Sequence, residues 1–302
     1  MNEVINVFDR ATVRRHRDRA AAGLDGHDFL IGEVGERLAD RLDDVTRDFP
    51  RALDLGCHGG QMGRLLGARG AIKALVQCDL SPRMVSHAGG LGVAASEEFL
   101  PFADSAFDLV LSCLSLHWVN DLPGALVQIR RALKPDGLFL AAMLGGETLK
   151  ELRTALGEAE MAEDGGLSPR ISPFADVRDA GNLLGRAGFA LPVVDLDTVT
   201  VSYPDPLKLM ADLRGMGETN AVAERRKGVS RRATLLGAAA RYRDQFADTD
   251  GRVPATFQII YLTAWAPHPS QQKPLAPGSA RVRLADALDT TENSAGEKAT
   301  PR

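Results

Sequence analysis

Residues 52–66, ALDLGCHGGQMGRLL, decide the fold. Residues 52–55 read as a buried strand, 56–60 as a glycine-rich turn, and the remainder as the first turns of a helix. Glycine lacks a Cβ and tolerates positive φ, so such a turn lets backbone wrap a ligand. Asp54, Gly56 and Gly60 stand where a nucleotide-like ligand needs an acidic acceptor and close backbone approach. The N–H groups opening the helix would then face a carboxylate or phosphate of that ligand. A glycine-rich turn alone is equally a structural turn, and residues farther along the chain must discriminate.

Outward from this stretch, strand-like and helix-like segments alternate. Residues 4–22 are polar and basic and read as a helix covering one end of the domain. Residues 29–42 repeat Phe29, Leu30, Val34, Leu38 and Leu42 with a helical period. A second strand over 74–78 reaches Asp79, and Ser81 with Pro82 opens a helix in cap and first-turn positions. A third strand falls near 92–95. Residues 107–112 form a continuous apolar run, as in a strand covered on both faces. A helix over 121–133, a turn at 134–137 and a fifth strand over 138–143 come next. This rhythm predicts an α/β fold, a doubly wound and mostly parallel seven-stranded sheet with ligands at the strands' carboxyl ends. Farther on, helices are expected over 147–162 and 174–187 and strands over 193–201 and 257–265. The residues between, 207–246, read as a helical insertion or cap, since so long a loop without structure is uncommon. Four parts result: an N-terminal helical segment (1–45), a ligand-binding core (46–145), a C-terminal completion of the sheet with its insertion (146–266), and an extended, partly disordered tail (267–302).

Composition narrows the class. With 302 residues, 44% hydrophobic and 25% charged, the chain can bury a large core and looks like an ordinary globular protein. A net charge of −4 argues against nucleic acid or anionic lipid as the main partner. No apolar run is long enough for an integral membrane segment. Cys57, Cys78 and Cys113 are odd in number and suggest no disulfide framework or zinc site. They read as small buried hydrophobes. The first residues are Arg-rich yet carry Glu3, Asp9 and Asp18, and lack the apolar core of a secretory signal.

Asp79 ends the second strand 25 positions after Asp54, where an α/β nucleotide site places a carboxylate for ribose hydroxyls. With DLGC at 54–57, EEFLPF at 97–102, FDLV at 107–110 and LKPDG at 133–137, the order and spacing resemble class I S-adenosylmethionine-dependent methyltransferases of the type 11 group. That resemblance implies S-adenosylmethionine as cofactor. Asp54 and Gly56 would lie at its methionine end and Asp79 at the ribose, with Cys57, His58, Gly60 and Leu80 also among the cofactor-binding residues. Ser96, Glu97 and Glu98 would line the adenine, and Ser112 and Leu114 the floor beside the sulfonium. Two positions depart from the group's pattern: His58 replaces a glycine, and Ser96 an aspartate that contacts the adenine.

A narrower resemblance covers nearly the whole chain. NVFDR at 6–10, SLHWVNDLP at 115–123, ISPF at 171–174, LGRAGF at 184–189, MGETN at 216–220, VPATFQI at 253–259 and PGSA at 277–280 resemble the methyltransferase-like assembly factors of respiratory complex I, protein arginine hydroxylases. The resemblance implies a protein substrate, an arginine on a complex I subunit; His117 and Trp118, near the transferred group, are the catalytic candidates, steering substrate or acting as a base, with packing and positioning as the alternative role. A methyltransferase scaffold does not itself explain hydroxylation, which normally needs a metal, flavin or other redox cofactor. An ordinary type 11 small-molecule or carboxyl methyltransferase and a non-catalytic assembly scaffold are the alternatives. Mitochondrial members begin with a targeting segment, whereas Phe8 lies almost at the start here. The expectation is a bacterial, cytoplasmic protein, peripheral to membrane-bound complex I during assembly. The basic run Arg225, Arg226, Lys227, Arg231 and Arg232 reads as a solvated helix surface, or as a docking face for an acidic segment. Asp212, Arg214, Glu218 and Asn220 read as caps and surface groups, or as a guanidinium-binding set.

Overall fold

The computed structural model describes residues 6–272, 278–279, 281–291 and 296. Residues 1–267 form one compact unit built on a seven-stranded sheet of order β3-β2-β1-β4-β5-β7-β6. Its strands are β1 (Arg51–Leu55), β2 (Ala74–Asp79), β3 (Leu91–Ala94), β4 (Phe107–Cys113), β5 (Leu133–Leu144), β6 (Ala190–Tyr203) and β7 (Val253–Trp265). The first five pair in parallel, while β7 runs antiparallel to both β5 and β6. The doubly wound, mostly parallel sheet is as the alternation of elements requires.

Strand β4 shows why the sheet is central. All seven of its residues are buried, as expected for an apolar run covered on both faces. Leu109 and Leu111 pack on one face with Leu138 and Leu140 of β5. Val110 packs on the other with Leu53, Leu55, Phe139 and Ala141. Helices α2 (Phe29–Asp40), α3 (Gln61–Leu66), α6 (Lys150–Asp164), α8 (Pro206–Met216) and α9 (Arg232–Phe246) supply the first face. Helices α5 (Leu122–Ala132) and α7 (Val177–Arg186) supply the second. Local chemistry sets the boundaries. Asp121 caps α5 by accepting from Gly124 N at 2.9 Å, and Ser81 caps α4 (Pro82–Ala88) by accepting from Met84 N at 3.1 Å.

Several boundaries differ from the sequence reading. The helix expected from residue 4 begins at Arg10, as α1 (Arg10–Ala20), because Asp9 caps it and Phe8 forms an isolated bridge with Val222. Residues 4 and 5 lie outside the described residues. The turn expected at 134–137 is absorbed into β5: Asp136 takes φ 62° and the register with β4 shifts between Phe107 and Leu109, a bulge rather than a break. The helical stretch expected over 207–246 is interrupted. Gly217, at φ 84°, ends α8, and no helix resumes before Arg232. The run Arg225–Arg226–Lys227 therefore lies on a loop, not on a helix surface.

Residues 268–302 form a second unit, whose described residues hold one short helix, α10 (Leu284–Ala287). The disorder expected of the last dozen residues falls outside the described residues except at Thr291 and Gly296, as do Pro277 and Ala280 of the PGSA motif. Among the described residues no helix is long and apolar enough to cross a membrane.

Candidate functional site

The strand order reverses between β1 and β4, where an open α/β sheet leaves a crevice at its carboxyl edge. Asp54, in β1, is fully buried, and neither of its carboxylate oxygens has a hydrogen-bond partner among the described residues. Burial, with the charge of Asp79 beside it, pushes its pKa up to about 8. After β1 the chain turns through Gly56 (φ 75°), His58 (φ 47°) and Gly60 (φ 80°). Histidine at φ 47° is uncommon, and the position is held on two sides. The His58 backbone N donates to Asp79 Oδ2 at 3.2 Å, and its ring Nε2 bonds the Cys113 carbonyl at 3.0 Å. Helix α3 follows, with six residues.

Gly56 is demanded by space as well as by conformation. A Cβ there would lie 2.1 Å from both Cβ and Oγ of Ser115. Gly56→Ala adds a left-handed alanine, about 1–2 kcal/mol, and displaces Ser115 from Glu97. The expected result is a lower urea midpoint, with Ser115→Gly in the same chain restoring the steric part but not the conformational one.

Asp79 and Glu97 do face the crevice, but a guanidinium already stands between them. Arg17 of α1 is 1% exposed. Its Nη1 donates to both Asp79 oxygens at 3.3 Å and to Glu97 Oε1 at 2.9 Å, and its Nη2 to Ser115 Oγ at 2.9 Å. Arg10, two turns earlier on the same helical face, bonds Glu97 Oε2, Ser96 Oγ and the Trp118 carbonyl. Two guanidiniums thus neutralise two buried carboxylates. Burial opposes the charge on Glu97, yet Arg17 and Arg10 hold its pKa well below the usual carboxylate range, while Asp79 and Glu97 raise that of Arg17 against its own burial.

The sequence reading missed Arg10, Arg17 and Ser115. The signal was present in α1, whose buried residues include Val13 and Ala20: Arg10 and Arg17 share their face at helical spacing. Other expected residues are spent locally. Ser96 Oγ also accepts from Glu98 N at 3.2 Å, and Glu98 Oε1 accepts from Asn120 N at 2.6 Å. Ser112 Oγ donates to the Leu55 carbonyl at 2.7 Å, and Leu80 packs beside Phe8 and Trp118. Cys57, Cys78 and Cys113 are free and buried, and burial raises each thiol pKa, that of Cys78 to about 12.

A cavity of about 500 Å³ opens beside the crevice, lined by His58, Leu114, Trp118 and Glu218 among mostly apolar side chains. Leu114 borders it with φ 49°, a strained conformation for a leucine. Trp118 Nε1 donates to Glu218 Oε1 and Oε2 at 3.1 and 3.0 Å, and His117 Nε2 lies 3.0 Å from Glu218 Oε2. His117 and Trp118 are therefore joined through Glu218, in the loop after α8. Asp212 and Asn220 serve structure instead. Asp212 Oδ1 lies 2.8 Å from both His27 Nδ1 and Lys208 Nζ, and Asn220 Nδ2 donates to the Pro169 carbonyl at 2.6 Å. Arg225 bonds Asp9 and Thr12, while Arg226 and Arg231 share Asp164. Among the described residues no group of three or more His, Cys, Asp or Glu side chains is placed to hold a metal ion.

The acceptor set suits the cofactor implied by the methyltransferase resemblance. Asp54 presents an orphaned buried carboxylate, Gly56 leaves room for no side chain, and Asp79 ends β2. The side chains of Arg17 and Ser115 lie across that set.

Comparison with known proteins agrees with this architecture. Residues 53–141 match the methyltransferase domain family Methyltransf_11. The chain is 51% identical over 289 residues to the mitochondrial arginine-hydroxylase NDUFAF5 of Danio rerio, covering 93% of this chain and 89% of that protein. It is 35% identical to a malonyl-[acyl-carrier protein] O-methyltransferase of Methylovorus, covering 95% of each. The solved phosphoethanolamine N-methyltransferase 2 of Haemonchus contortus, in complex with S-adenosyl-L-methionine, superposes with a TM-score of 0.52 at 15% identity over 85% of this chain and 60% of that one. It shares the fold. The expectation of a bacterial, cytoplasmic setting is overturned, because the arginine-hydroxylase relatives are mitochondrial proteins of eukaryotes. The place of Phe8 in the chain carries no information about compartment. By its identity and coverage, this chain belongs to the NDUFAF5 arginine-hydroxylase family, on a class I methyltransferase fold.

Proposed function

We propose that this protein binds S-adenosylmethionine in the crevice between Asp54 and Glu97 and hydroxylates an arginine side chain of a protein, a subunit of respiratory complex I. The observation that carries this reading is the 51% identity to an arginine hydroxylase across 93% of the chain. The motifs of the 115–123 and 253–259 segments, which resemble complex I assembly factors, support the partner.

Asp54 would accept from the methionine ammonium and Asp79 from the ribose hydroxyls, with Ser96 and Glu97 along the base. The bound cofactor supplies an electrophilic methyl group on a cationic sulfur. Oxygen insertion requires, beyond this, an oxidant of a different chemical class. The chain's own residues prepare the site. Arg17 releases Asp79 and Glu97 for the cofactor, the apolar cavity excludes water, and Glu218 orients His117 and Trp118.

The test is mass spectrometry of complex I subunits after incubation with the protein and a mitochondrial extract supplying small cofactors. Gain of one oxygen on an arginine is the expected result. Gain of one methylene overturns hydroxylation in favour of methyl transfer, the chemistry named for the 35% identical relative. A subunit that binds yet is unchanged in mass overturns catalysis in favour of a scaffold.

A further inference from the structure

We infer that Glu218 and His58 form the guanidinium-binding end of the cavity, taking an arginine side chain of the substrate protein between the Glu218 carboxylate and the bare ring nitrogen of His58. This deepens the functional reading above and rests on it for the choice of arginine.

Glu218 is the first observation. Its side chain is only 14% exposed and its ion-pair partner among the described residues is His117; no described Lys or Arg lies within pairing distance. Burial opposes its charge, but His117 and Trp118 hold its pKa below the ordinary value, so the cavity wall carries an anion at neutral pH. A carboxylate presents about four acceptor positions, and the three contacts from His117 and Trp118 leave capacity for a ligand donor. Glu97 and Glu160, by contrast, have cations supplied by the chain, Arg10 with Arg17 for the one and Arg170 for the other. Glu218 is left to receive one.

His58 is the second and is independent of the first. A backbone carbonyl can only accept, so the 3.0 Å contact to Cys113 O fixes the proton on Nε2. Burial, then the charge of Arg17, keeps the ring neutral. Its Nδ1 is consequently a lone-pair acceptor. That atom is buried without a partner, on a residue 2% exposed that lines the same cavity as Glu218. A buried acceptor without a partner calls for an explanation, and a ligand donor reaching it from the cavity supplies one.

The lining is mostly apolar but includes Arg214 and also Arg170, Arg225 and Arg226, which are paired with Glu160, Asp9 and Asp164; the two separated acceptors fit a planar, weakly hydrated ion with several donors better than a compact ammonium. The Trp118 ring and Phe174 also line the cavity and offer faces or edges to a guanidinium plane. Leu30, Ile31 and Leu149 offer apolar surface to an aliphatic stem.

The test titrates the full chain with N-acetyl-arginine N-methylamide, its citrulline counterpart and its lysine counterpart, followed by NMR shifts of the Trp118 indole. Arginine should bind at least tenfold more tightly than citrulline, which keeps the shape without the charge, and more tightly than lysine. Glu218→Gln should lose that preference tenfold or more. His58→Gly, which suits the backbone at φ 47°, should weaken arginine binding several-fold in the folded variant. Equal binding of the three probes to the wild type, or undiminished arginine binding by either variant, overturns the assignment. Should Glu218→Gln fail to fold, the wild-type probe series and His58→Gly decide. The two readings fail separately. Selective arginine binding with no oxygen gained by any subunit sinks hydroxylation and leaves the site. Hydroxylation with an unchanged KM in folded Glu218→Gln sinks the site and leaves the reaction.

Discussion

Replacing Arg17 by alanine lowers the free energy of unfolding at pH 7 by about 3–5 kcal/mol, the usual result of removing one partner from a buried ion cluster. Asp79 and Glu97 are both 0% exposed, and the variant leaves Arg10 on Glu97 but no paired cation on Asp79 among the described residues. Arg17→Lys recovers only part of the loss, because one ammonium cannot span Asp79, Glu97 and Ser115 as a planar fork does. The pH dependence identifies the cause. In the wild type the folded pKa of Glu97 lies below its unfolded value of 4.5. Its stabilisation is therefore present above about pH 4.5 and is lost as pH falls through the folded value. Without Arg17, only Arg10 and Ser115 are left to oppose the burial of Glu97, so less of that stabilisation remains as pH rises beyond 4.5. Urea denaturation curves of the two proteins should separate towards pH 7 and converge only as pH falls through the folded value of Glu97, well below 4.5. A gap independent of pH would mean that Arg17 acts by packing. Calorimetry adds a second reading: S-adenosylhomocysteine should bind Arg17→Ala at least as tightly as the wild type, since the acceptors are already vacant. Loss of that binding would make Arg17 a holder of the ligand instead of its competitor.

The same cluster shows where the sequence stops being legible. The sheet could be read because its strands obey local rules: β4 is an unbroken apolar run, Asp121 and Ser81 cap helices in the expected way, and Asp54 and Asp79 end neighbouring strands. Arg17 was passed over although it shares a helical face with Val13 and Ala20, because arginine is ordinarily a surface residue and RRHRD reads as a solvated face. Its burial depends on carboxylates 62 and 80 positions away. Glu218 was visible only as one polar residue among several. The loop that brings it to His117 and Trp118 spans a sequence separation of about a hundred residues, with no periodicity to announce it. Asp136 marks an intermediate case. Its turn chemistry was evident, but whether such a turn breaks a strand or bulges within it is decided by the neighbour β4.

Asp54→Asn should stabilise the protein and weaken its cofactor binding. The carboxyl of Asp54 has a folded pKa of about 8 against 3.8 when free. For an acid whose pKa is raised by folding, the penalty is absent below pH 3.8, grows as pH rises, and levels off above the folded value. At about 1.4 kcal/mol per pH unit it reaches ~4 kcal/mol at pH 7. Asparagine does not titrate and escapes this penalty. Its amide is as unpartnered as the protonated acid it replaces, so most of the gain survives, about 2–4 kcal/mol at pH 7–8 and nothing near pH 4. Urea midpoints at pH 4 and pH 8 check the sign and the pH dependence together. Binding should move the other way. A ligand ammonium beside Asp54 would draw its carboxyl into the charged form, and an amide cannot match that charge-assisted bond. S-adenosylmethionine affinity should fall at least tenfold in the variant, and the wild-type complex should release a proton from Asp54 near pH 7, seen as a buffer-dependent heat. Stability that rises while binding is untouched would show Asp54 to be an uncompensated strain with no ligand to relieve it. Stability and binding moving in opposite directions would show a buried acid kept at its own expense because the cofactor completes it.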